Sequence, residues 1–275
     1  MEKSQMSSNN NASLSKTLEG KVAVITGSTS GIGLGIAQGF ARAGINVMIN
    51  GFADQSVIDE ILLDLRSCGV KAQYHGADMS KPAQIRDLIA QTVKEFGALD
   101  ILVNNAGIQK VSPIDEFPDD AWQAIVDINL SSSFHTTKAA LPIMREAGWG
   151  RVINVASAHG LVASPFKSAY VAAKHGVMGL TKTTALECAE QNITCNAICP
   201  GYVMTPLVEK QVTDTAQARG ISEEQVKTDV MLKAQWTKKF VEVEELAETA
   251  LFLCSNGAQN ITGTNINVDG GWTAA

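Results

Sequence analysis

At 275 residues the chain is long enough for one large α/β domain or two small ones. Its 45% hydrophobic and 18% charged residues suit a globular protein with a sizeable core, and no apolar run approaches the roughly 20 residues needed to span a bilayer. The net charge of -6 argues against nucleic acid as a partner, since such binders carry a basic face.

Residues 1–16 are rich in Ser and Asn and contain no apolar segment, so they are expected to form a flexible leader rather than a secretory signal. A strand is expected at Val22–Thr26, then a helix from Gly31 to Ala43 closed by Gly44. A strand at Asn46–Asn50, a helix at Gln55–Ser67 stopped by Gly69 and a strand at Lys71–His75 follow. Pro82 opens a helix to Phe96. Leu99–Val103 reads as a fourth strand, with one long helix from about Asp119 to Glu146 behind it. A strand at Arg151–Ala156, a helix at Ser168–Ala189, a strand at Ile193–Ile198, a helix at Glu242–Cys254 and a last strand at Asn265–Val268 complete the order. Apolar strands alternating with helices imply a parallel sheet covered on both faces, a doubly wound α/β fold in a single domain over residues 17–275.

Residues 205–239 break this rhythm with a polar, mostly helical insertion leaving the sixth strand. Ligands of open α/β sheets sit outside the carboxyl ends of the strands, so the insertion is expected to act as a lid. A solvated helical pair without a gating role is the alternative. The five cysteines, Cys68, Cys188, Cys195, Cys199 and Cys254, form no C-x-x-C pair and no zinc spacing. They read as thiols of a reducing compartment, with the cytoplasm as the expected location and no metal.

The first strand runs into Thr26-Gly27-Ser28-Thr29-Ser30-Gly31-Ile32-Gly33 and then the first helix. Glycines permit a tight turn and close approach of a pyrophosphate, while free N–H groups and the helix dipole face the phosphates. The strand before and the helix after favour a dinucleotide site over a glycine-rich turn serving only helix–strand packing. The second strand ends Asn50-Gly51-Phe52-Ala53-Asp54, with neither an acid for the ribose nor an arginine for a 2′-phosphate at the strand end itself. With no cation in the turn either, NAD is favoured over NADP. Asp78 stands where a carboxylate can accept from the adenine amino group, or serve a nearby helix N-terminus instead.

Ser157 ends the fifth strand, and Tyr170 precedes Lys174 by four residues on one helix face. A phenol with its ordinary pKa of about 10 is a poor base at neutral pH. A neighbouring ammonium that lowers it by ~2 units makes it a proton acceptor for an alcohol, or a donor to a carbonyl. Ser157 would hold the same oxygen. Such a pair alone is ordinary helix surface; the glycine turn and Asn104-Asn105-Ala106-Gly107 make the set specific.

Over residues 18–272 the chain resembles the short-chain dehydrogenase/reductase family. The resemblance rests on TGxxxGxG at Thr26–Gly33, NNAG at Asn104–Gly107, Ser157, YxxxK at Tyr170 and Lys174, and Pro200-Gly201. It implies a seven-stranded sheet, a tetramer, and a proton relay in which Asn129 holds a water and Lys174 also binds the nicotinamide ribose. The implied cofactor contacts are Gly27, Thr29, Ser30, Gly31, Ile32, Gly33, Phe52, Asp78, Met79, Asn105, Ala106, Gly107, Tyr170, Lys174, Pro200, Gly201, Val203 and Thr205.

Gln109, His159, Lys167 and Gln211 gather at the same sheet edge, and a lysine among neutral hydrogen-bonding groups is a receptor for a small carboxylate. Taken alone, Lys167 reads equally as a loop lysine and His159 as a satisfied loop histidine. Within the family, the run from Ser157 to Tyr170 resembles the bacterial D-3-hydroxybutyrate dehydrogenases, in which residues matching these four bind the substrate carboxylate. That resemblance implies NAD-dependent oxidation of D-3-hydroxybutyrate to acetoacetate. Tyr202 departs from it, standing where the subgroup often has a tryptophan beside the substrate methyl. Trp272 is expected to close the pocket, from this chain or a neighbouring subunit, or else to be an ordinary core residue. Reduction of a thioester, sugar or polyol, and a non-catalytic NAD sensor, remain the rival readings.

Overall fold

In the computed structural model, residues 18–275 are described; the leader expected at residues 1–16 lies outside them. Seven strands, β1 (Val22–Ile25), β2 (Asn46–Asn50), β3 (Ala72–His75), β4 (Ile101–Asn104), β5 (Gly150–Val155), β6 (Ile193–Pro200) and β7 (Asn265–Val268), form one sheet. Their order is β3-β2-β1-β4-β5-β6-β7, and every pairing is parallel. Burial follows this order. β1, β4, β5 and β6 are buried at every position, as central strands must be, whereas β3 and β7 at the edges are half-exposed.

The helices are α1 (Gly31–Arg42), α2 (Gln55–Ser67), α3 (Pro82–Phe96), α4 (Asp119–Val126), α5 (Ser132–Ala147), α6 (Ser168–Cys188), α7 (Pro206–Arg219) and α8 (Val243–Cys254). The period-2 alternation of each strand divides the core into two layers. Ala23 and Ile25 of β1, Val47 and Ile49 of β2, and Ile101 and Val103 of β4 face one way, packing with Ile36 and Phe40 of α1 and Leu246 of α8. Val24, Met48 and Leu102 face the other, against Ile85 and Leu88 of α3 and Met144 of α5. The doubly wound α/β expectation is met.

The single long helix expected at Asp119–Glu146 is interrupted. A π turn, Asp127–Ser131, separates α4 from α5, and Asn129 sits buried within it. Its side chain pairs with the backbone of Ile108, accepting from the amide at 2.8 Å and donating to the carbonyl at 2.9 Å. Helical periodicity does not register such a bulge, and the partner of its buried Asn129 lies in a loop 21 positions upstream.

The insertion after β6 is helical, as expected: α7 is followed by helical turns at 223–234 that include a second π turn, Val226–Met231. It carries its own small core of Tyr202, Val208, Val212, Val226 and Met231, separate from the two main layers. It lies over the carboxyl edge of the sheet, where Thr205, Pro206 and Leu207 face the crevice.

Candidate active site

The turn after β1 is knitted to its neighbours by short polar side chains. Thr26 Oγ1 accepts from the amides of Asn105 and Ala106, both at 3.0 Å, and Asn105 Nδ2 donates to the carbonyls of Thr26 and Gly27 at 2.9 Å. Gly27 has a φ of 63°, and a Cβ there would stand 2.8 Å from Ala106 Cα. A Cβ on Gly33 would collide with the Gly27 carbonyl oxygen. The turn therefore closes tightly enough to aim the first amides of α1, whose N-cap Ser30 makes no side-chain cap bond, into the crevice.

That crevice has a volume of about 320 Å³. Of the residues expected to bind cofactor, Gly27, Thr29, Ser30, Gly31, Ile32, Phe52, Asp78, Met79, Asn105, Ala106, Gly107, Tyr170, Lys174 and Thr205 line it. Gly33 lies beneath the turn. Pro200, Gly201 and Val203 line a smaller adjoining pocket instead. Asn50, Gly51, Ala77, Ile108, Ile128, Val155, Ala156, Pro206 and Leu207 also line the crevice without having been singled out from sequence. Most are apolar residues of strand ends, loops or helix starts that carry no signal of their own.

Asn50 plays a supporting part: its Nδ2 donates to the carbonyls of His75 and Ala77, both at 2.9 Å, tying β2 to the end of β3. Phe52 beside it is 73% exposed, a ring available for stacking. Asp78 stands ahead of α3 without capping it, the helix having no side-chain cap bond. It lines the crevice, while its Oδ1 accepts from the amide of Ser80 at 2.8 Å and its hydroxyl at 2.7 Å. Those bonds to Ser80 hold its carboxyl below the ordinary range. Among the described residues that line the crevice, Lys174 is the sole lysine or arginine, and none comes from the β2 end.

Tyr170 lines both the crevice and the adjoining pocket, which Ser157 also lines. Lys174 Nζ donates to the Val155 carbonyl at 2.8 Å and lies 5.6 Å from the centre of the Tyr170 ring. The expected lowering of the phenol by this ammonium is not met. Burial pushes Tyr170 up to about 12, against a smaller downward pull from its hydrogen bond with Ser157. Burial also pulls Lys174 down to about 8. Desolvation sets the direction of both shifts, neither group moves the other, and the ammonium is engaged by the Val155 carbonyl.

The adjoining pocket, about 70 Å³, is lined by Ser157, His159, Tyr170, Tyr202, Gln211 and Trp272 among others. Ser157 Oγ accepts from the His159 amide at 3.1 Å and lies 3.4 Å from His159 Nδ1. His159 Nε2 stands 2.9 Å from Ser164 Oγ. Burial, then the nearby Lys167, presses His159 down to about 3, so its ring is neutral. Trp272 belongs to this same chain: it stacks on Tyr202 with ring centres 5.1 Å apart and meets His159 edge-on at 4.9 Å.

Two of the expected carboxylate ligands, Lys167 and Gln109, are not among the residues lining this pocket. Lys167 donates through Nζ to two residues of the lining, Gln211 Oε1 at 3.2 Å and Tyr202 Oη at 3.4 Å. It is 5% exposed, and among the described residues no carboxylate forms a salt bridge with it. Gln109 lies outside the lining too, its amide nitrogen and oxygen both buried without a partner.

The short chain dehydrogenase family model matches residues 21–216. A D-beta-hydroxybutyrate dehydrogenase of Rhizobium meliloti (strain 1021) is 59% identical, over 92% of this chain and 99% of its own length. The enzyme of that name from Cupriavidus necator is 54% identical, over 94% and 99% respectively. Among solved structures, a single-substitution variant of actinorhodin polyketide ketoreductase with NADPH superimposes with a TM-score of 0.88 at 34% identity, covering 93% of this chain and 98% of its own. The glycine turn, the Ser157, Tyr170 and Lys174 cluster and these likenesses agree: the chain belongs to the short-chain dehydrogenase family.

Proposed function

We propose that the protein interconverts D-3-hydroxybutyrate and acetoacetate with NAD. The observation that carries this reading is Lys167, a buried cation that no carboxylate among the described residues bridges, hydrogen-bonded to Gln211 and Tyr202 at the wall of a pocket of about 70 Å³ that Tyr170 and Ser157 share. A buried unpaired ammonium is costly, and a small anionic substrate offsets that cost. The two hydroxybutyrate dehydrogenases similar over nearly the whole chain support the same substrate. A bulky acyl thioester has little room there and no carboxylate at its reacting end.

The residues fit a dinucleotide. The glycine cradle admits a pyrophosphate that Cβ atoms would exclude, the α1 amides donate to it, and the absence of a crevice cation at the β2 end favours NAD over NADP. The bound nicotinamide supplies the hydride acceptor. In the oxidation, the C3 hydroxyl proton passes to Tyr170 as hydride leaves C3, and Ser157 holds the oxygen that becomes the carbonyl. Lys174 would hold the cofactor's ribose hydroxyls and carry the proton onward, and the backbone of the turn at Asn129, whose side chain is engaged by Ile108, would fix the relay's water. A phenol pushed up to about 12 is protonated at neutral pH, so Tyr170 holds the proton that the reverse direction requires.

Residues 205–239 act as the substrate lid of this catalytic domain, and the assembly is a cytoplasmic homotetramer. No helix among the described residues is long and apolar enough to cross a membrane.

The test is the appearance of reduced nicotinamide absorbance with D- and L-3-hydroxybutyrate, NAD and NADP in parallel. Turnover of the D isomer with NAD is expected; inactivity on both isomers would refute the substrate. Tyr170→Phe should lose ~10²–10⁴-fold in kcat while dinucleotide affinity is retained. A near-normal kcat would refute the role given to Tyr170.

A further inference from the structure

In an open α/β sheet the adenosine half of a dinucleotide lies at the end of the second strand. Here the crevice at that end runs between the glycine turn after β1 and residues 77–79, which follow β3. β3 ends at His75, whose ladder partner is Asn50. Beyond that pair the chain leaves the sheet, and side chains hold it instead. The Ala77 amide donates to His75 Nδ1 at 3.2 Å, and the Asp78 amide donates to Gln84 Oε1 of α3 at 2.8 Å.

Asn50 is where the two sides join. It is fully buried at the edge of the crevice. Its Nδ2 spends both protons on the carbonyls of His75 and Ala77, each at 2.9 Å, and its Oδ1 accepts from the Gly27 amide at 3.3 Å. Those partners fix the orientation of the side-chain amide, since a carbonyl only accepts and an N–H only donates. The backbone is pinned as well: the Asn50 amide donates to Ser28 Oγ at 3.0 Å, and its carbonyl accepts from the Ser28 amide at 2.6 Å. Among the described residues, no other side chain hydrogen-bonds to both the glycine turn and the segment after β3. Two donors and an acceptor at this short reach call for asparagine; serine, aspartate and leucine each lack at least one of them.

We propose that Asn50 is a positioning residue for the cofactor, a clasp that sets the spacing between the glycine turn and the 77–79 segment. Without the clasp, a dinucleotide has to order both sides itself, and affinity falls. None of Gly27, Asn50, His75 and Ala77 lines the pocket that Ser157 and Tyr170 share, so the reacting end is left as it is. The inference rests on the dinucleotide reading above and not on the identity of the hydroxy acid.

The experiment is calorimetric titration with ADP-ribose, which carries the adenosine and pyrophosphate of the cofactor without the nicotinamide. Steady-state kinetics with NAD and D-3-hydroxybutyrate accompany it. The proteins compared are wild type, Asn50→Leu and Asn50→Ser, with urea denaturation verifying the fold of each. Leucine is close to asparagine in size and offers neither donor nor acceptor, whereas serine keeps a hydroxyl and leaves room for a water. For Asn50→Leu, Kd for ADP-ribose and KM for NAD should each rise ~10–100-fold. Its kcat at saturating NAD and its KM for D-3-hydroxybutyrate should change by less than ~3-fold. Asn50→Ser should fall between the two other proteins, because its hydroxyl and a water restore part of the network. If Asn50→Leu does not fold, Asn50→Ser decides, with a rise of at least ~3-fold in Kd for ADP-ribose.

An unchanged Kd for ADP-ribose in the folded variants would overturn the inference. So would a fall in kcat at saturating NAD as large as the rise in Kd, which would make Asn50 a general support of the fold. A wild type that binds no ADP-ribose overturns the dinucleotide reading and the inference with it. A wild type that binds it, with variants that bind it equally well, overturns the inference alone.

Discussion

At the scale of single residues, the site is assembled from groups that destabilise the fold. Lys167 is drawn down to about 8, by burial first and by the like charge of Arg219 second. Its ordinary value is 10.5, so between about 8 and 10.5 the unfolded chain holds a proton that the folded chain has released, and stability rises with pH across that window. Below 8 both states are protonated and the folded state bears the whole penalty, on the order of 3 kcal/mol for a shift of this size. Lys167→Met should therefore stabilise the protein at pH 7, by up to ~3 kcal/mol in urea denaturation, while impairing turnover of the acid. The gain should shrink as pH is raised from 8 towards 10. A variant less stable than wild type at pH 7 would mean that the bonds to Tyr202 and Gln211 more than repay the buried charge.

At the scale of elements, the question is how α6, which carries Tyr170 and Lys174, is kept in register with β5, which carries Val155 and leads to Ser157. A buried polar ladder runs through the core beneath the site. Thr136 Oγ1 of α5 donates to Asn104 Oδ1 at 2.6 Å, Asn104 Nδ2 donates to Asn154 Oδ1 at 2.8 Å, and Asn154 Nδ2 donates to Thr181 Oγ1 of α6 at 2.8 Å. Each rung leaves a buried amide or hydroxyl exposed to apolar surroundings if its partner is removed. Asn154→Ala should cost about 1–3 kcal/mol or more in urea denaturation, and Thr181→Val a comparable amount. Combined, the two should be clearly sub-additive because they break one rung. Strict additivity would show that the rung carries no energy of its own.

None of this ladder was legible in the sequence. Asn154 and Thr181 are 27 positions apart and Asn104 and Asn154 are 50 apart, with nothing local to pair them. The π turn around Asn129 escaped for the same reason. The glycine turn, the NNAG run and the Tyr170–Lys174 spacing were legible because each is a short segment whose backbone geometry or helical period brings its residues together. The placement of Trp272 lies between these cases. Asp269 accepts from the amides of Gly271 and Thr273, both at 2.9 Å, and so turns the C-terminal residues back over the pocket of their own chain. The sequence displays the glycines of that turn but not its direction.

At the scale of the whole molecule, the sheet order reverses its direction of growth between β1 and β4, so loops from opposite halves diverge there and leave the crevice. Its walls come from the ends of β1, β2, β4 and β5, from the segment after β3, and from α6 and the start of α7. A dinucleotide spanning it touches both halves of the sheet, so binding should stabilise the molecule as one unit. For a ligand that binds only the folded state, saturation to 100 times Kd adds about 2.7 kcal/mol. NAD at that level should shift the urea midpoint accordingly and leave the transition single and cooperative. NADP at the same concentration should shift it much less, because the lining residues provide no lysine or arginine at the β2 end to meet a 2′-phosphate, and Phe52 offers only its ring. Equal shifts with the two dinucleotides would refute the NAD preference while leaving the dinucleotide site standing. A split transition with NAD bound would instead show that the two halves of the sheet unfold separately.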